Sequence, residues 1–339
     1  MTTGMDVGID LGTATTLVYL DGKIVLKEPS VVAIHTKDNS ILAVGREAYN
    51  MLGRTPDSIR AEFPMSGGVI AEYAVTERMI KYFLHQIRAT LVVKPRVAIC
   101  VPSGVTEVES RAVVDAAVSA GARRVYLIEE PVAAALGAGI DIAKPHGSMI
   151  VDIGGGTTDI AVLSLNGIVT KESIKTAGGS FDDAIVRAVR QNHNMLIGGR
   201  TAEAIKKEIG SVYPVGDGAE MEVKGRNLVT GLPRRFTVSR EEIYEALIEY
   251  AMEIVTAMQS VLERTPPELV GDILESGITM TGGGALLRGM DKLISKHIKA
   301  PAYIAERPDE CVAIGTGLAF RSIPELADGF ANMRTHQHG

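Results

Sequence analysis

VGIDLGTATTLVYLDGKIVL occupies residues 7–26, and IVDIGGGTTDIAVLSLNGIV occupies residues 150–169. Both stretches share one grammar. An apolar strand leads to an Asp, a Gly-rich turn ending in Thr, a second strand and a hairpin signal, Asp21-Gly22 or Asn166-Gly167. Such dipeptides favour the left-handed backbone of two-residue hairpins. Two copies of one hairpin, each with a carboxylate beside a flexible turn, predict an α/β chain of two related domains facing each other across a phosphate-binding cleft. A Gly-rich turn at a strand end lets backbone N–H groups reach phosphate oxygens, because no Cβ intervenes. Gly12, Thr13, Ala14 and Thr15 supply one such cradle, and Gly154, Gly155, Gly156 and Thr157 the other. Asp10 and Asp152, just before them, are placed to hold Mg2+ directly or through its waters, since Mg2+ combines one or two carboxylates with substrate phosphates. A single turn of this kind is more often a plain tight hairpin; the duplication is what points to a site. Neither turn matches GxxxxGK[ST], or GxGxxG leading into a helix, which sets aside P-loop and Rossmann readings.

Outward from the first copy, Val75, Met79, Phe83 and Ile87 predict a helix over 75–88 with one buried stripe. A buried strand at 96–102, a helix from about Thr106 to Ser119, a strand at 125–131 and an Ala-rich helix over 132–138 follow. Pro131 suits the first turn of that last helix. Between ILAVG (41–45) and about Val69 the pattern is loop-rich. Lys144-Pro145-His146-Gly147 reads as a linker just before the second copy. After it, 178–190 and 201–210 read as helices and 211–238 as a small β-rich excursion. Ser239 and Glu242 form a capping-box signature. They open a long helix whose apolar face carries Ile243, Leu247, Ile254, Met258 and Val261, ended at Thr265-Pro266-Pro267. ITMTGGG (278–284) is a strand running into a third Gly-rich turn, and VAIGTGLAF (312–320) enters a helix.

The 339 residues give room for two cores. Hydrophobic residues make up 46% and charged residues 22%, with a net charge of −6. That balance is globular and argues against a nucleic-acid partner, which demands a basic face. Cys100 and Cys311 lie far apart without CxxC spacing and read as buried thiols in a reducing compartment. The start MTTGMDVGID shows neither the basic nor the apolar region of a secretory signal, and no apolar run approaches the ~20 residues that span a bilayer. A cytoplasmic location is expected.

Glu130 precedes Pro131 and the Ala-rich helix at a strand end. A carboxylate aimed into the cleft from there can orient, or partly deprotonate, a water attacking a γ-phosphate. Glu129 should point the opposite way if the strand continues this far. Gly282, Gly283 and Gly284 are placed to lie against a nucleoside, with a plain helix-start turn as the alternative. Glu203 and Lys206 sit one turn apart on one helix face and by themselves read as a solvated ion pair. The seven histidines show no ligand or triad spacing.

Together these segments resemble the five-part nucleotide site of the actin, heat-shock chaperone and sugar-kinase superfamily. DLGTATT resembles its first phosphate loop, DIGGGTTD its second and TMTGGGALLRG its adenosine motif; the helices near 106–120/131–139 and 312–320 resemble its connecting segments. KEPSVVAI (27–34), VGREAYNMLGRTP (44–56), GVIAEY (68–73), ICVPSGV (99–105), LIEEPVAAALGAG (127–139), GGRTAEAIKKEIG (198–210), TGLPR (230–234), RTPPEL (264–269) and MTGGGALLRG (280–289) narrow the resemblance to the MreB family of bacterial actins and its Mbl-like paralogues, to about residue 320.

The resemblance implies an actin-like (ribonuclease-H-like, duplicated) fold, with two domains and four subdomains around a nucleotide cleft. Subdomain IA would take 1–33, 67–143 and 311–339, IB 34–66, IIA 144–178 and 241–310, and IIB 179–240. It further implies ATP and Mg2+, slow ATP hydrolysis to ADP and phosphate coupled to polymerisation, and head-to-tail homopolymeric filaments. These filaments would lie on the inner face of the cytoplasmic membrane with membrane proteins of the cell-wall elongation machinery, without nucleic acid, and organise rod shape. Carried residue by residue, Asp10 and Asp152 would serve the metal, and Thr13–Thr15 and Gly155–Thr157 the phosphates. Glu203, Ala204, Ile205 and Lys206, with Gly283, Gly284, Ala285 and Leu286, would serve the nucleoside, and Glu130 the water. Thr15 stands where the family more often has Asn, Asp159 where Glu is common, and MSGG (65–68) where a basic–acidic pair is usual. Leu91, Val92 and Val93, flanked by Arg88, Lys94 and Arg96, read as an apolar tip that inserts between anionic headgroups; a strand start tucked into the core is the alternative. A chaperone-type ATPase would need a peptide-binding domain after the cleft, and a small-molecule kinase an acceptor site with its own Asp. A shared fold would not separate these readings; the whole-chain motif match does.

Overall fold

The computed structural model describes residues 6–87 and 94–321 and the strand Phe330–Ala331; Arg88 and the Leu91, Val92 and Val93 tip lie outside them. Two sheets repeat one plan. In the first, β1 (Asp6–Leu11), β2 (Thr15–Leu20) and β3 (Lys23–Pro29) form an antiparallel meander. From β1 the sheet continues in parallel through β9 (Arg96–Val101) and β10 (Arg124–Glu129) to an edge strand β19 (Phe330–Ala331). In the second, β11 (Ser148–Ile153), β12 (Thr158–Ser164) and β13 (Gly167–Ile174) form the same meander, and β17 (Ile278–Thr281) and β18 (Ala302–Ile304) continue in parallel from β11. Every residue of β12 is buried, as expected for a strand covered on both faces.

Each repeat carries an insertion. The first holds a three-stranded sheet of β4 (Val32–His35), β5 (Ile41–Val44) and β6 (Ile59–Glu62), with α1 (Arg46–Met51) packed on it, followed by the short pair β7 (Met65–Ser66) and β8 (Val69–Ile70). The second holds α5 (Gly178–His193), α6 (Gly199–Ile209) and a sheet of β14 (Met195–Leu196), β15 (Glu220–Asn227) and β16 (Pro233–Ser239). The first domain also contains α2 (Tyr73–Ile87) and α3 (Glu107–Ser119); the second contains α7 (Arg240–Glu263), α8 (Pro267–Ser276) and α9 (Met290–Ile298). α2 buries Val75, Met79, Phe83 and Ile87, the stripe its spacing predicts. Each such side chain contributes about 1.5–3 kcal/mol on burial.

Between the two sheets, α4 (Glu130–Gly137) and α10 (Cys311–Leu318) pack on each other. Cys100, Ile128, Val132, Ile150, Leu163 and Val312 share one core there, which ties first sheet to second. The helices approach to backbone contact. A Cβ on Gly315 would lie 1.7 Å from the Ala133 carbonyl oxygen, and one on Gly137 1.8 Å from that of Cys311. Glycine at both positions is therefore a condition of the crossing.

The structure departs from the sequence pattern at several points. The stretch read as loop-rich contains α1, β6, β7 and β8, and α8 and α9 follow the Pro266-Pro267 stop. α1 has only six residues and one buried side chain, Ala48, too little for a helical stripe to register. In the second hairpin the left-handed residues are Leu165 and Asn166, not Asn166-Gly167, because Ser164 pairs with Gly167. In the first, Asp21 and Gly22 take that conformation as predicted. Ser239 caps α7 by accepting from the Glu242 N–H, but the Glu242 carboxylate turns to His193 instead of completing the box. Thr106 and Glu109 form the complete capping box, on α3.

Candidate functional site

The two Gly-rich turns touch. A Cβ on Gly155 would lie 2.6 Å from that of Ala14, and one on Gly156 2.3 Å from Thr13 Oγ1. Thr13 Oγ1 also accepts from the Gly68 N–H at 2.9 Å, so the first turn is pinned to the segment after β7. Behind the second turn, the N–H groups of Gly178 and Gly179 donate to the carbonyls of Gly154 and Gly155 at 3.0 and 2.8 Å, anchoring the start of α5. Residues 12–15 and 154–157 are thus brought face to face. The third Gly-rich turn, a 3-10 helix over Gly283–Leu286, abuts the same place. A Cβ on Gly284 would lie 2.3 Å from Ile153 Cγ2, one residue before Gly154.

Carboxylates converge beneath these turns. Asp10 stands next to the end of β1, between the buried Ile9 and Leu11, and its Oδ1 accepts from Cys100 Sγ at 3.3 Å. Asp152 holds the matching position on β11, where its Oδ1 accepts from Thr281 Oγ1 at 2.7 Å. Desolvation pushes the Asp10 carboxyl up to about 6, against the lowering by Cys100. Burial pushes Asp152 up to about 7, with the charges of Asp10 and Asp159 adding to it and Thr281 opposing. Glu130 is the first residue of α4 and is buried. Burial, then the charges of Asp159, Asp152 and Asp10, hold its carboxyl well above the usual range. Asp159 is raised by burial although the Ser103 N–H, 2.7 Å from Oδ1, favours its ionised form. Glu129 diverges from Glu130 and binds Lys171 through both oxygens, at 2.8 and 2.6 Å. Like charges crowded in a dry site raise one another's proton affinity, and such clusters mark functional sites.

The α6 face is arranged differently from the pattern's suggestion. Glu203 and Lys206 do not pair with each other. Glu203 binds Lys207 and Tyr49, each at 2.6 Å, while Lys206 Nζ donates to the Gly178 carbonyl at 2.7 Å and lies 2.8 Å from Asp182. A helical turn offers Glu203 both the i+3 and i+4 lysines, and Asp182 on the neighbouring α5 decides between them. Ile205 and Ala285 are fully buried in the core of the second domain, so their side chains face no open surface; Ala204 and Leu286 are exposed.

The partners Cys100, Thr281, Asp182 and Tyr49 escaped the sequence reading. For the first two a signal existed: each lies at or next to the end of the strand parallel to an Asp-bearing strand, Thr281 directly before GGG and Cys100 one residue, Val101, before PSG.

The MreB/Mbl protein family model matches residues 4–328. The chain is 52% identical over 323 residues to the cell shape-determining protein Mbl of Bacillus cereus, covering 95% of this chain and 97% of that one. It is also 52% identical over 325 residues to the cell shape-determining protein MreB of Escherichia coli, covering 94% of each. Among solved structures, MreB5 of Spiroplasma citri bound to ADP superposes with a TM-score of 0.91 at 41% identity, covering 95% of this chain and 97% of that one. Two actin-like domains that repeat one sheet plan across a pair of touching Gly-rich turns, with sequence kinship along nearly the whole chain, make this protein a member of the MreB/Mbl family of bacterial actins.

Proposed function

We propose that the chain is a filament-forming, ATP-hydrolysing bacterial actin that works in cell-shape determination on the inner face of the cytoplasmic membrane. The observation that carries this reading is the convergence of both Gly-rich turns on the carboxylates Asp10, Asp152, Asp159 and Glu130. The ADP held by MreB5 and the cell-shape names of the relatives support it. The two sheets and their two insertions support a four-subdomain division, although the expected boundaries at 33/34 and 178/179 fall inside β4 and α5.

Phosphates would be held by the backbone of Gly12–Thr15 and Gly154–Thr157. Asp10 and Asp152 suit Mg2+: hard oxygen donors, desolvated and mutually repelling, gain from a dication. Among the described residues no group of three or more His, Cys, Asp or Glu forms a metal cage, so phosphate oxygens and water would complete the shell. When bound, Mg2+ would offset the charge on the transferring phosphoryl group. Glu130 would hold the attacking water and take its proton at the carboxylate. Assembly is head to tail, since a heterologous contact that does not close gives an open polymer. The membrane contact assigned to Leu91, Val92 and Val93 lies outside the described residues.

Electron microscopy with Mg-ATP on anionic liposomes tests this reading, beside Asp152→Ala. Filaments on lipid that vanish in the variant are expected. Wild type that binds ATP without assembling would return the chain to the chaperone or kinase alternatives. Turnover per subunit should rise above the assembly threshold; equal turnover on both sides would uncouple hydrolysis from assembly.

A further inference from the structure

α1 and α6 belong to different halves of the molecule and meet in one tight cluster. Tyr49 Oη donates to Glu203 Oε2 at 2.6 Å across a separation of 154 residues. The Arg200 guanidinium lies 4.7 Å from the Tyr49 ring centroid, and its Nη1 donates to the Asn50 carbonyl at 3.4 Å. Lys207 occupies Glu203 Oε1 at 2.6 Å. Each oxygen of Glu203 therefore already holds one donor, and its carboxylate plane is fixed from two sides. A carboxylate offers about four lone-pair directions, so two remain for a donor arriving in the cleft.

The position of that face identifies the donor. Lys206, one turn along, is tied to Gly178, whose N–H is tied to Gly154 in the second Gly-rich turn. A molecule with its phosphates on that turn would carry its next portion past Glu203. A nucleotide presents ribose hydroxyls there, and hydroxyl-to-carboxylate bonds are short and directional. We propose that Tyr49 is a positioning residue for nucleotide recognition: from the opposite side of the cleft it sets the Glu203 carboxylate so that its free lone pairs meet the ribose hydroxyls. The inference rests on the nucleotide reading above. It makes ribose recognition depend on closure, because parting α1 from α6 frees Glu203 to rotate.

Calorimetric titration with Mg-ATP and with Mg-2′,3′-dideoxyATP, on wild type and Tyr49→Phe, tests it. The substitution keeps the ring beneath Arg200 and removes only the hydroxyl. Wild type should prefer ATP. Tyr49→Phe should weaken ATP about three- to tenfold, the scale of one hydrogen bond, and leave the dideoxy nucleotide unchanged. Equal weakening of both nucleotides would make Tyr49 merely structural, and an unchanged ATP affinity or a wild type without preference would also overturn the proposal. Wild type binding neither nucleotide would instead sink the nucleotide reading itself.

Discussion

In the first hairpin Asp10 sits across from Leu17 and takes its hydrogen bond from the Cys100 thiol; in the second, Asp152 sits across from Asp159 and takes its bond from the Thr281 hydroxyl. Cys100 and Thr281 occupy matching places, each on the strand that runs parallel to the Asp-bearing one. A hydroxyl is the better donor, so a single-bond argument would leave Asp152 the more acidic of the two. The order is reversed, with Asp152 at about 7 and Asp10 at about 6. Burial and the added carboxylate of Asp159 outweigh one hydrogen bond. Both copies carry the strand-end Asp, and only the second adds a further carboxylate, Asp159, which faces Glu130 of α4.

The largest effect is expected where the two halves meet, at the helix crossing. Gly315→Val should cost about 3 kcal/mol or more, the upper range of overpacking, because its side chain meets the Ala133 carbonyl. A urea midpoint equal to wild type would show that the helices can part freely. Next, Asp152→Asn should weaken Mg-ATP binding about 100-fold, at or beyond the cost of losing an outer-shell partner. It should also raise the thermal midpoint of the nucleotide-free protein at pH 8, since it removes a buried charge. Asp10→Asn should do both to a smaller degree.

The pH profile sharpens the same contrast. A carboxyl whose folded pKa is raised binds more protons folded than unfolded between the two values. Stability of the nucleotide-free protein should therefore fall as pH climbs from about 4 through about 6 for Asp10 and about 7 for Asp152. Mg-ATP binding, which under the proposed metal role would need both groups ionised, should strengthen over that range. Thermal scans with and without Mg-ATP should slope oppositely; parallel slopes would remove these carboxylates from the site. The smallest effect separates the donors. Thr281→Val should weaken Mg-ATP about fivefold at pH 6.5, and Cys100→Ala about twofold or less. Reversal of that order would mean that the two copies are not electrostatically graded as described.

Much of the site was legible because its parts are local. Asp10 with Gly12–Thr15, and Asp152 with Gly154–Thr157, each fall within eight consecutive residues, and turn chemistry and strand pattern act at that range. Glu130 was legible from its place between a strand and Pro131. α1 was not, since six residues with one buried side chain make no periodic signal, and so Tyr49 went unseen.

The amino-acid sequence by itself determined the duplicated hairpins, the strand-end carboxylates, the stripe of α2 and the family. These depend on residues a few positions apart and on motifs that any fold must place at strand ends. Tertiary structure alone decided that Cys100 meets Asp10 and Thr281 meets Asp152, and that Lys206 turns to Asp182 while Glu203 takes Lys207 and Tyr49. It also decided that Gly137 and Gly315 carry a helix crossing. Most of these contacts span tens to more than a hundred residues, and even the choice of Lys207 over Lys206 hangs on Asp182 from another helix. Hydrogen bonding and desolvation depend on distance in space, which the order of residues along the chain does not record.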